Sequence, residues 1–133
     1  MSVPSPEERE DAVTAVLRGL SVSAARANLA RSLVIAEALD AAEGGRLNEQ
    51  QRLAAAAAAH QVVGSAGTFG MPRASRTAAR LEDFLVAVAS PENGAAPAGL
   101  DQARLRLDEL TELLAVKTSA QPEMRTGAQT DGE

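Results

Sequence analysis

Apolar residues recur along this chain at intervals of three and four, the repeat of one face of an α-helix. Ser5-Pro6-Glu7-Glu8 reads as a helix start, with Ser as the cap, Pro at the first helical position and Glu closing a capping box. Val13, Val16, Leu17 and Leu20 follow at helical spacing and predict a short first helix. A second start near Ser21 to Ser23 predicts a longer helix whose inward face is Val22, Ala25, Leu29, Leu33, Ala36 and Leu39, stopped by Gly44-Gly45. Asn48-Glu49-Gln50-Gln51 resembles another capping box and opens a third helix reaching about Phe69. After the break at Gly70-Met71-Pro72, Leu81, Phe84, Leu85 and Val88 mark a fourth helix. Ser90 to Pro97 is a loop by its Pro, Asn and Gly content. Leu100, Ala103, Leu107, Leu110 and Leu114 alternate by three and four on the last helix, as in a bundle seam. From Lys117 onward no period remains. The prediction is an all-α antiparallel four-helix bundle with an additional short N-terminal helix over residues 1–117, and a disordered tail over 118–133.

Composition supports helices. Hydrophobic residues make up 45% of the 133, with two Phe and neither Trp nor Tyr, so the aromatic residues that favour strands are nearly absent. A formal charge of −5 argues against nucleic acid as a partner, because phosphate backbones select a basic face. Without cysteine there is neither a disulfide nor a thiolate site. No apolar run approaches the ~18 residues of a membrane span, and the acidic amino terminus is unlike a signal peptide. A cytoplasmic monomer is expected.

The one candidate for chemistry is the only histidine, His60, which follows six consecutive alanines and precedes Gln61-Val62-Val63-Gly64-Ser65-Ala66-Gly67. Each helical residue turns by ~100°. Ala58, Val62, Ala66 and Phe69 then lie opposite His60 and should face the core, which points the imidazole outward. Its own side carries Leu53, Ala56, Ala57, Gly64 and Gly67, a strip of mostly small side chains. Two glycines inside a helix cost about 1 kcal/mol each relative to Ala. Something must therefore approach this strip closely, either a partner or another helix of the same protein. Ser65 turns ~140° from His60, which disfavours a Ser-His pair. The glycine-rich run lacks the Gly-Lys-Ser/Thr ending of a phosphate-binding loop. A single His without Cys leaves no evident metal cluster.

His60, Gly64 and Ser65, then Gly70, then Leu81-Glu82, with Val62 at the apolar place, resemble in type and spacing the histidine-containing phosphotransfer (HPt) domain family. The resemblance implies a five-helix fold with an antiparallel four-helix bundle. It also implies that His60 is a phosphoryl acceptor exchanging with the aspartate of a response-regulator receiver domain, with a hybrid histidine kinase as a further partner. Leu53, Ala56, Ala57, Gly64 and Gly67 would then form the docking face. The family has no kinase activity of its own, and 133 residues leave no room for an ATP-binding domain. No cofactor is implied, because Mg2+ sits in the receiver's acidic pocket. One departure stands out. The family carries Lys, sometimes Arg, three residues after the histidine, where this chain has Val63. Arg73, Arg76 and Arg80, spaced i, i+3, i+7 on the next helix, are the candidates to compensate phosphate charge; the plainer alternative is a solvated face pairing with Glu82 or Asp83. Two other functions remain open: a phosphorylation-independent adaptor that docks a receiver or kinase through the same face, and an oligomerisation module in which the glycine strip packs another helix.

Overall fold

The computed structural model describes residues 3–88 and 95–119. Four helices account for nearly all of them: α1 (Pro6–Glu43), α2 (Glu49–Thr68), α3 (Pro72–Ala87) and α4 (Leu100–Ser119). Each packs on two neighbours in the cyclic order α1, α2, α3, α4, and the short turns make successive helices antiparallel. The all-α bundle is thus as the periodicity predicts.

Both predicted capping boxes form. The Ser5 hydroxyl accepts from the Glu8 amide while the Glu8 carboxylate accepts from the Ser5 amide, and Asn48 and Gln51 repeat the exchange at the start of α2. Gly44 caps α1, and the α2–α3 turn closes through Gly70 at φ +74°, with the Met71 amide donating to the Ala66 carbonyl at 2.8 Å. The α4 seam predicted from sequence is buried in full, from Leu100 to Leu114. In α3, Leu81 and Leu85 are fully buried, whereas Phe84 and Val88 are only half-buried.

Three expectations change. The short N-terminal helix is not separate; it is the amino-terminal end of a 38-residue α1. Leu20-Ser21-Val22-Ser23 contains neither proline nor paired glycines, and serine disfavours a helix interior only weakly, so a helix already nucleated on both sides runs through it. Within α1 the inward row is Val22, Ala25, Asn28, Ser32, Ile35 and Leu39; Leu33, assigned inward from sequence, is 66% exposed. Ile35 takes the core position and two polar residues complete the row, a choice that hydrophobicity alone misreads. At the other end α4 continues through Thr118 and Ser119, whose hydroxyls bond back to the Ala115 carbonyl, so the helix passes the predicted boundary. The rest of the predicted tail (120–133), and residues 89–94 of the predicted loop, lie outside the described residues.

The core is small-residue packing between α1, α2 and α3, with alanines at 38, 42, 55, 59, 74 and 78 all at or below 2% exposure, and leucine packing where α4 closes the bundle. Alanine-lined helices approach closely, which keeps α2 and α3 side by side along their whole length. That pair carries the site.

Candidate functional site

His60 stands on the solvent side of α2 with 74% of its side chain exposed. The residues opposite it behave as the helical repeat requires: Ala58, Val62 and Ala66 are buried, and Phe69, at the helix end, is half-buried. The imidazole is nevertheless held. Its Nδ1 lies 2.9 Å from Oε2 of Glu82 on α3. A carboxylate only accepts, so Nδ1 carries the proton in this bond; in the neutral ring the lone pair is then on Nε2, directed away from the bond that fixes the ring.

The neighbouring helix is itself positioned by named contacts. Arg52, in the first turn of α2, sends Nη1 to the carbonyls of Leu85 and Val86 at 2.9 and 3.1 Å, satisfying two of the unpaired carbonyls at the end of α3. Glu49 bonds the same guanidinium, which raises the Arg52 pKa and lowers that of Glu49, in each case chiefly through this side-chain bond. At the far end of the pair, the Ser75 hydroxyl donates to the Val63 carbonyl at 2.8 Å. His60 and Glu82 therefore sit between two cross-ties. On the side facing α1, the buried Asn28 amide donates to the Ser65 hydroxyl at 3.1 Å, so Ser65 points into the helix interface and away from His60.

Around the imidazole the surface is low. Leu53, Ala57, Gly64 and Gly67 are exposed, and Ala56 is half-buried beside the core. Among the described residues, nothing lies within 4 Å of where a Cβ on Gly64 would stand, so no helix of this chain uses that glycine for close packing. At Gly67 a Cβ would make an ordinary contact with the Ser75 hydroxyl at 3.6 Å. Val63 is half-buried against the core cluster.

The three arginines separate. Arg73 pairs with Glu109 of α4 at 3.1 Å, and its position on α3 is about half a turn from Glu82, so it faces the wrong neighbour to reach His60. Arg76 and Arg80 are exposed and form no ion pair with another described residue. The alternative pairing with Glu82 is not what α3 adopts, because Glu82 turns to His60. Among the described residues, no three His, Cys, Asp or Glu side chains come together as a metal site, and no helix is long and apolar enough to cross a membrane.

Compared with known families, residues 12–116 match the model of the Hpt domain. The chain belongs to the Hpt domain family. Membership brings histidine phosphotransfer in two-component signalling, in which Hpt domains interact with receiver domains and kinases. Neither the curated proteins nor the solved structures contain a match. In this Hpt domain, Glu82 and Arg52 are contributors that the sequence did not single out as site residues. In the sequence Glu82 stands out as half of a Leu-Glu pair and as a surface partner for the neighbouring arginines, not as a partner of His60. Arg52 left a faint signal, since a cation in the first turn of a helix opposes the helix dipole and suggests an acceptor elsewhere.

Proposed function

We propose that His60 is the phosphoryl acceptor and donor of a phosphorelay, exchanging with the aspartate of a response-regulator receiver domain in the cytoplasm. The observation that carries this reading is the exposed imidazole whose Nδ1 is held by Glu82, leaving Nε2 free. In the accepting direction Nε2 attacks the phosphorus of an aspartyl phosphate in line. The N–P bond forms as the P–O bond to the aspartyl carboxylate breaks, and that carboxylate leaves with the electron pair. The Nδ1 proton stays in place, and the positive charge that develops on the ring is met by Glu82 at 2.9 Å. Donation is the reverse. Such a transfer asks mainly for position and charge compensation. Position comes from α2. Charge on the phosphoryl oxygens falls to the receiver, whose acidic pocket holds Mg2+, with the exposed Arg76 and Arg80 as the cations α3 offers beside it. Leu53, Ala56, Ala57, Gly64 and Gly67 form the docking face, low enough for loops to close over the ring and exclude water. A hybrid histidine kinase is the expected source of phosphate upstream.

Incubation with a labelled phospho-receiver should move label onto the chain as an acid-labile, base-stable adduct, and His60→Gln should take up none. Label on His60→Gln would remove His60 from the role. Val63, in the place of the family's cation, favours one second reading, an adaptor that docks without transfer. Receiver binding unchanged in His60→Gln, together with no transfer to the wild type, would select it.

A further inference from the structure

Among the described residues, the first 15 of α1, Pro6 to Leu20, are all exposed, and the buried row begins only at Ser21. At 1.5 Å per residue this is an overhang of about 22 Å. It is not a polar tail. Val13, Val16, Leu17 and Leu20 form one stripe and are 50–61% exposed. A capping box closes its tip, so the sequence specifies the helix to its first residue.

The position of the stripe indicates what covers it. Stepping by fours and threes, Val13, Leu17, Leu20, Ala24, Arg31 and Ala38 lie on one row of α1. At its lower end this row faces α2, where Ala38 and Val34 line a groove with Gln51 and Ala54, and Asn28 bonds Ser65. One seam therefore runs the length of α1. Its lower part is filled by α2 and its upper part is open, because α2 ends at Thr68, beside about residue 25 of α1. The missing occupant is a helix antiparallel to α1, coaxial with α2, and bearing a short apolar stripe. The overhang of a second copy is such a helix. Its first turn, placed just beyond the end of α2, sets Val13 against Leu17 of the second copy, twice by symmetry, with Val16 near its own counterpart. It also brings the positive end of one helix dipole to the negative end of another. Charge selects the same orientation: Arg9 and Glu10 flank the stripe, and a parallel pair would stack each on its own copy, whereas the antiparallel pair sets them beside Ser21 and Leu20.

We propose that this protein self-associates through the α1 overhang, each helix extending the place of α2 on the other copy. Four apolar side chains per copy make a small interface, below ~1,200 Å2 in total, so the association should be weak and reversible.

Sedimentation equilibrium of the full chain from about 1 µM to 1 mM should show the mass rising from 13.7 kDa toward twice that value. Leu17→Glu and Leu20→Glu, both at exposed positions, should hold it at the monomer with unchanged helicity. A wild type that stays at 13.7 kDa throughout, or charged variants that associate as well, would overturn the proposal. Orientation is tested in the same chain, which has no native cysteine. Val16→Cys should form a disulfide-linked dimer under oxidation and Arg9→Cys should not; efficient linkage through Arg9→Cys would mean a parallel pair and refute the coaxial arrangement.

Discussion

Two surfaces of this molecule are left uncovered by its own helices, and they are built in opposite ways. The strip around His60 on α2 has been cut down to Ala and Gly, with one large apolar residue, Leu53, at its edge. The overhang of α1 carries Val and Leu at every turn of its stripe. A surface of small residues buries little apolar area when covered, so a partner that sits there comes and goes; a stripe of branched side chains gains more from being covered and favours lasting contact. Transfer of a phosphoryl group calls for the first kind of surface. Assembly calls for the second.

The sharpest way to break this contrast is to add bulk at the strip. Gly64→Leu projects into open space, so the bundle should fold as before, yet receiver-dependent phosphorylation should fall roughly 100-fold because the approach is blocked. Gly64→Ala should instead stabilise the chain by about 0.5–1 kcal/mol in thermal or urea unfolding and leave most transfer intact. If Gly64→Leu transfers normally, the strip is not the docking face. Leu17→Glu, which alters the other surface, should leave transfer unchanged.

Glu82→Ala tests the chemistry rather than the access. Releasing Nδ1 frees the ring to turn and removes the charge facing the phosphorylated imidazole, so the transfer rate should drop about tenfold, with Glu82→Gln in between. Equal rates in all three would separate Glu82 from the reaction.

The smallest effect concerns the helix starts. The bond from the Ser5 backbone amide, and then that from its hydroxyl, hold the Glu8 pKa below its ordinary value of 4.5. A carboxylate with a lowered folded pKa contributes above its unfolded pKa and ceases to contribute as pH falls through the folded one. Acidification below about pH 4.5 should therefore fray the overhang, read as faster amide exchange at Glu8 and Arg9. At the start of α2 the same box is made by Asn48 and Gln51, which do not titrate, so its amides should stay protected.

Much of this was legible in the chain. The outward aim of His60 followed from Ala58, Val62 and Ala66, because one helix turn fixes which residues oppose one another. The caps and the α4 seam were equally local. What stayed hidden depended on contacts between helices. Leu33 and Ile35 are equally apolar, and only the packing of α1 on its neighbours decides which is buried. Glu82 meets His60 across 22 positions of sequence, a meeting set by the register of α2 against α3. The unbroken α1 was missed because Ser21 and Ser23 imitate a helix start, while a pre-existing helix simply continues through them.

Arg52 has a consequence beyond tying two helix ends together. His60 and Glu82 belong to a single hairpin, pinned at its open mouth by that guanidinium and at its bend by the Gly70 turn. Fluctuations that loosen the chain's extremities need not disturb it. If His60 is the proposed acceptor, its pairing with Glu82 is preset by the hairpin, and a messenger so built stays ready between deliveries.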